Sequence, residues 1–312
     1  MNLFKQALLF ISISSLFCTS CSFSEKEKKQ VQTKEAIVLA TFGSSYENPQ
    51  ATFKTINKCA HEHFPNQEIR WAYTSNFIIK KLREGRGQGS LNGKEIRIYT
   101  PAETLEQLIK EGYRKIYVQS LHIIPGEEYD ELLEATKLVE NRYQDVDIVI
   151  GTPLLTSEKD IKEVAHVLAN KFSEEIKQGP VLFMGHGTPH EADAKYTKLH
   201  DELQKINSDF YVGTVEGIGF EDGSLAIGSI ISRLDQCTTK ATTLCITPLM
   251  SVAGDHACND LNADTGETDP AEQSWREQLE AKGYTVNANM NGLGDYSEIN
   301  AIWMSHLEEV RK

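Results

Sequence analysis

The sequence predicts an α/β protein of two similar domains, each a parallel sheet flanked by helices. Three observations carry this. Short apolar runs alternate with amphipathic stretches of helical length, the pattern of βαβ units that build a parallel sheet. The alternation restarts at Pro180. Several apolar runs also end beside a glycine and a polar side chain, as in Gly43-Ser44, Gly185-His186, Glu216-Gly217 and Gly254-Asp255. The carboxyl edge of an open α/β sheet, where ligands bind, has this composition.

The first domain is expected over 36–176. Ala36-Ile37-Val38-Leu39-Ala40 is apolar throughout and reads as a buried strand running into the loop Thr41-Phe42-Gly43-Ser44-Ser45. A helix is expected over 49–64, a strand over 69–73 and a short amphipathic helix over 77–83. The stretch 85–93 holds four glycines and reads as an exposed loop. A helix over 101–111, a strand over 115–120, a helix over 129–143 and a strand over 147–150 follow. Ser157 with Asp160 forms a capping box for a helix running to about Ile176.

The second domain is expected over 177–312. Pro180-Val181-Leu182-Phe183-Met184 is a strand leading into Gly185-His186-Gly187. Then come a helix over 196–206, a strand over 210–215, a helix over 225–234 and a strand over 241–246. A helix over 271–282, a strand over 285–289 and a helix over 296–310 complete the chain. The restart reads as an internal duplication: the run ending at Phe42-Gly43-Ser44 aligns with that ending at Met184-Gly185-His186. Likewise 119–128 aligns with 247–256. Where the first half has Ser44 and Glu128, the second has His186 and His256. Both imidazoles then sit in loops after strands, at one sheet edge.

The N-terminus is of another kind. Lys5 precedes an apolar and serine run over 7–17 that is too short to span a bilayer, followed by Cys18-Thr19-Ser20-Cys21. This is the build of a secretory signal peptide. Small residues before Cys21 resemble the lipobox of bacterial lipoproteins, so residues 1–21 are expected to be a signal peptide, with Cys21 lipidated. Cys18 stands where a lipobox usually has leucine. Residues 22–35 are polar and read as a solvated tether. The chain is therefore expected in the cell envelope, periplasmic or on the outer membrane, held to the membrane by its lipid.

The 312 residues suffice for two domains, and 40% hydrophobic with 25% charged residues is ordinary for a globular protein. A net charge of -13 speaks against nucleic acid as partner. It also means that a polycarboxylate ligand would need a local basic patch. There is no G-x-G-x-x-G after a strand, no P-loop and no G-x-S-x-G, which removes dinucleotide, nucleotide and hydrolase-elbow readings. Cys59, Cys237, Cys245 and Cys258 show no C-x-x-C spacing, so no structural zinc site is indicated; an exported chain admits a disulfide, but the spacing selects no pair.

Three segments carry the chemistry: Gly185-His186-Gly187, Val215-Glu216-Gly217 and Gly254-Asp255-His256. Two imidazoles and a carboxylate suit a borderline divalent cation such as Co²⁺, Ni²⁺, Zn²⁺ or Fe²⁺. Three protein ligands with an open position form a reactive rather than a structural arrangement. His61, His63, His166, His190, His200 and His306 read as ordinary hydrogen-bonding histidines. His61 and His63, two apart on a helix, face different ways.

The segments 183–187, 212–216 and 248–260, with Ser44-Ser45-Tyr46, 78–83 and 119–123, closely resemble the anaerobic cobalt chelatases, in order over 36–310. The resemblance implies a ferrochelatase-like fold with a cleft between two α/β domains, and insertion of Co²⁺ into sirohydrochlorin on the cobalamin pathway. It implies that His186, Glu216 and His256 bind the metal and that His186 also serves as base. Thr188-Pro189-His190-Glu191 and Ile218-Gly219-Phe220-Glu221 depart from the family's pattern. A neutral imidazole, with an ordinary pKa of about 6.5, can accept a pyrrole proton near neutral pH. Substrate contacts are expected from Ser44, Lys80, Arg83, His122 and Glu128, with Lys81 a further basic candidate on the same helix.

Export sits awkwardly with a cytoplasmic pathway. The sequence therefore also admits removal of metal from haem or another tetrapyrrole, or a haem- or metal-binding lipoprotein with His122 as haem ligand. A homo-oligomer is compatible with either. Periplasmic substrate-binding proteins share the two-lobed α/β plan but have no need of two histidines and a glutamate at strand ends.

Overall fold

The computed structural model describes residues 33–236 and 241–312. The proposed signal peptide, most of the tether and Cys237 lie outside the described residues. Among the described residues, eight strands form two four-stranded sheets, both wholly parallel. In the first, β1 (Glu35–Thr41) and β3 (Lys115–Ser120) are central, with β2 (Glu68–Tyr73) and β4 (Asp147–Gly151) at the edges, in the order β2-β1-β3-β4. In the second, β5 (Val181–Gly185) and β7 (Thr243–Pro248) are central, flanked by β6 (Phe210–Thr214) and β8 (Thr285–Ala288), in the order β6-β5-β7-β8. The two orders are the same permutation. The sequence alignment of the loop after β1 with that after β5, and of the loop after β3 with that after β7, thus joins equivalent strands.

The central strands have no polar face. Ala36 through Ala40 of β1 and Val181 through Met184 of β5 are wholly buried, because crossover helices cover both sides of a parallel sheet. The first-lobe helices are α1 (Pro49–His63), α2 (Asn76–Arg83), α3 (Pro101–Lys110), α4 (Glu127–Arg142) and α5 (Glu158–Lys171). The second lobe adds α6 (Ala194–Ile206), α7 (Ile218–Glu221), α8 (Ile227–Asp235) and α9 (Trp275–Ala281), and α10 (Ser297–Arg311) ends the chain. Helix α5 opens on the expected Ser157–Asp160 capping box but stops at Lys171, short of Ile176. Helix α9 starts later than the periodicity suggested, at Trp275. There Ser274 accepts from the Glu277 N–H and the Glu277 carboxylate accepts from the Ser274 N–H.

Helix α10 does not stay with the second sheet. It packs on β3 and β4 and against α1 and α5, with Trp303 wholly buried in a core that runs from Ile37 and Leu39 to Phe183 and Phe210. His306, itself buried, fastens it there: Nδ1 meets the Thr152 carbonyl at 3.1 Å and Nε2 lies 3.3 Å from Asp160. Cys59, Cys245 and Cys258 are free thiols. Among the described residues, no helix is long and apolar enough to cross a membrane.

Candidate metal centre and cleft

The loops after β1, β3, β5 and β7 line one cleft of about 430 Å³. From the second lobe come His186, directly after β5, and His256, from the loop after β7 just before a single π-turn, Ala257–Leu261. The two rings meet edge to face with centroids 4.3 Å apart. Both side chains are about one-third exposed, at 37% and 36%. Glu216, in the loop after β6, places its Oε1 3.2 Å from His186 Nδ1. The three residues singled out in the sequence are therefore brought together, although they lie up to 70 positions apart in the chain.

The hydrogen bonds fix which ring nitrogens are available. His186 Nδ1 lies 2.9 Å from the Gly187 carbonyl, and His256 Nδ1 lies 2.6 Å from Asp260 Oδ2. An oxygen with no proton can only accept, so both rings donate from Nδ1 and keep the Nε2 lone pair for a cation. A carboxylate or carbonyl behind a ligating imidazole is the usual support of such a ligand. Asp260 also raises the His256 pKa above its ordinary value, outweighing burial. As they stand, no three His, Cys, Asp or Glu side chains among the described residues are spaced to ligate one ion. Glu216 props His186 in this conformation instead of completing a three-ligand set.

What holds these loops is a residue that no motif marks. Asp193, 2% exposed, accepts the Thr188 N–H on Oδ1 at 2.9 Å and the Gly219 N–H on Oδ2 at 2.8 Å. One carboxylate thus ties the His186 loop to the Glu216 loop. Backbone bonds add to it: the Val215 and Glu216 N–H groups donate to the His186 carbonyl and the Ile218 N–H to that of Thr188. The loops approach so closely that a Cβ on Gly187, whose φ is +86°, would fall 1.8 Å from the Glu216 carbonyl oxygen. Glycine is required there for space and for conformation alike.

The first lobe supplies the opposite wall. Ser44 is buried, and its hydroxyl accepts the Tyr46 N–H at 3.2 Å, so it shapes the loop. Tyr46 donates its phenol to Asp255 and thereby joins the two lobes, with Asn259 Nδ2 also on Asp255 at 3.2 Å. Glu128 lines the cleft, half-buried in the first turn of α4. The expected basic contacts are redistributed. Lys80 is exposed and outside the cleft lining. Arg83 points to a separate surface pocket, where it bonds the Ile98 carbonyl and Glu103 at 2.6 Å. Residues 80 and 83 fall on other faces of α2, and it is Lys81 that reaches the cleft.

His122 lines the cleft, but Thr74 Oγ1 sits 3.1 Å from its Nε2 and Ser120 Oγ 2.9 Å from its Nδ1. Neither nitrogen is left for haem iron, so the haem reading gains nothing from this residue. Burial lowers the His122 pKa from 6.5 to about 4. Because the folded value lies below the unfolded one, the neutral ring stabilises fully above pH 6.5 and loses this contribution as pH falls toward 4. The loss amounts to about 3 kcal/mol. Urea melts between pH 4 and 7 are expected to show that slope, and His122→Gln is expected to flatten it. An unchanged slope in the variant refutes the assignment.

The cobalt chelatase (CbiK) family model matches residues 35–312. The chain belongs to the cobalt chelatase family. It is 31% identical over 279 residues to the sirohydrochlorin cobaltochelatase of Salmonella typhimurium, covering 88% of this chain and 96% of that one. It is likewise 31% identical over 280 residues to the sirohydrochlorin cobaltochelatase CbiKC of Nitratidesulfovibrio vulgaris, covering 88% and 90%. Among solved structures, SirB from Bacillus subtilis with Fe³⁺ superposes with a TM-score of 0.58 at 15% identity, over 89% of this chain and 96% of that one. The sirohydrochlorin chelatase SirB from Bacillus subtilis subspecies spizizenii in complex with cobalt gives 0.54 at 13%, over 89% and 95%. These likenesses establish the two-lobed chelatase fold, and the family membership makes this chain a metal chelatase.

Proposed function

We propose that this chelatase inserts Co²⁺ into sirohydrochlorin, with His186, Glu216 and His256 presenting the cation and His186 taking a pyrrole proton. The observation that carries the reading is the pair of imidazoles, 4.3 Å apart on one wall of the cleft, each with its Nδ1 committed and its Nε2 free to ligate. Two curated relatives, each 31% identical, bear the name sirohydrochlorin cobaltochelatase. On arrival of the cation Glu216 swings from His186 to become the third donor. Its side chain is 55% exposed, so the rotation meets little packing. The imidazoles and carboxylate replace water around the ion. As the metal enters the ring the macrocycle gives up two protons. Once the cation has left its Nε2, His186 accepts one there, and the other passes to water in the open cleft. Fe²⁺ and Ni²⁺ are the competing metals.

The test is an absorbance assay of sirohydrochlorin with Co²⁺, Fe²⁺ or Ni²⁺ and the full-length protein. Spectral change faster than the protein-free reaction supports insertion and ranks the metals; a rate equal to the protein-free one refutes it. We place the enzyme outside the inner membrane, on a lipid at Cys21, on the strength of the apolar run over 7–17 and the small residues before Cys21. Metabolic labelling with radioactive palmitate is expected to mark the wild type and not Cys21→Ser. Equal labelling of both, or none in the wild type, contradicts the anchor.

A further inference from the structure

Folding leaves an aromatic surface in the cleft that the metal site does not use. Phe77, in the first turn of α2, is 68% exposed, and Phe42, after β1, is 44% exposed. Both line the cleft on the wall contributed by the first lobe. Exposed aromatic rings gain little for folding, and an apolar concave wall with a few placed polar groups is the makeup of a small-molecule site. Between Phe77 and Tyr46 stands Lys81. Its ammonium lies 5.8 Å from the Phe77 centroid and 5.9 Å from that of Tyr46. Among the described residues that line the cleft it is the single lysine or arginine, and no described carboxylate forms an ion pair with it. The other charged liners, Glu128 and Asp255, are acidic, and the whole chain carries -13.

We propose that Phe42 and Phe77 seat one face of the flat macrocycle and that Lys81 binds a single carboxylate edge of its rim, the rest of the rim remaining in water. This rests on the reading that the ligand is a polycarboxylate tetrapyrrole. With one cation facing an otherwise acidic cleft, a carboxylate-bearing edge of the macrocycle is drawn to Lys81. Its edge lies at Lys81 and its exposed face is turned to the imidazoles of the second lobe. Lys81 thus sets substrate affinity and orientation without touching the metal.

The neighbouring lysine supplies the control. Lys81→Glu and Lys80→Glu change the net charge equally and lie on the same helix, but only position 81 lines the cleft. The dissociation constant of metal-free sirohydrochlorin, by absorbance titration, and the KM for insertion are measured on full-length wild type and both variants, at low and high KCl. Lys81→Glu is expected to raise both by at least about tenfold, as loss of a charge-assisted contact implies. It should leave the KM for the metal unchanged and reduce the salt dependence of binding. Lys80→Glu is expected to stay within about twofold, since exposed charges at a distance are screened. Lys81→Arg is expected to restore binding, and Phe77→Ala to weaken it. Equal effects at 80 and 81, no effect at 81, or no binding by the wild type overturns the proposal. If the wild type binds sirohydrochlorin without inserting metal, the insertion reading fails and the titration still decides for or against Lys81.

Discussion

His186→Ala is expected to lower the insertion rate about 10³-fold, the scale of losing a positioned base together with a cation ligand. His186 stands at the meeting point of three contacts: the His256 ring 4.3 Å away, Glu216 at 3.2 Å and the Gly187 carbonyl at 2.9 Å. Alanine removes the base and one donor but leaves the backbone bonds of the loop. The carbonyl of residue 186 still accepts from the Val215 and Glu216 N–H groups. Loss of activity with an unchanged melting temperature and unchanged sirohydrochlorin affinity is therefore the expected combination. A variant retaining more than about one-tenth of the wild-type rate would place the base elsewhere.

Asp193→Asn is expected to weaken metal binding by about 10- to 100-fold, the range seen when the support of a ligand is removed. The isosteric amide presents a donor to one of two backbone N–H groups, those of Thr188 and Gly219, that now face carboxylate oxygens at 2.9 and 2.8 Å. One buried N–H is left unsatisfied, at a cost of about 1–3 kcal/mol. The strain falls on the link between the His186 and Glu216 loops, so the KM for the metal is expected to rise while that for sirohydrochlorin stays near the wild-type value. If the melting temperature drops but the two KM values keep their ratio, Asp193 has only a structural role.

The contrast between these two residues shows what a single chain discloses. His186, Glu216 and His256 were legible because each lies in a glycine-containing loop after an apolar strand, and because the parallel-sheet plan sends such loops to one edge. The alternation of strands and helices and the repeat of one lobe in the other followed from the same periodicity, whereas the order of the strands within each sheet did not. Asp193 left no trace: its role comes from a 3₁₀ turn, Glu191–Asp193, that aims one carboxylate at two loops. Nor does periodicity decide which of Lys80, Lys81 and Arg83 faces the cleft, because a helix places adjacent residues about 100° apart. Only the orientation of α2 on its sheet settles it. Helix α10 illustrates the same limit, since an amphipathic pattern states that a face is buried and not against which sheet.

Uptake of the cation by two imidazoles and Glu216 on one side of the cleft is read out by X-ray absorption at the cobalt edge of the Co²⁺-loaded protein. Two imidazole nitrogens and a carboxylate oxygen are expected around cobalt in the wild type, and one imidazole in His256→Ala. A shell without imidazole in the wild type, or one that His256→Ala leaves unaltered, would contradict it.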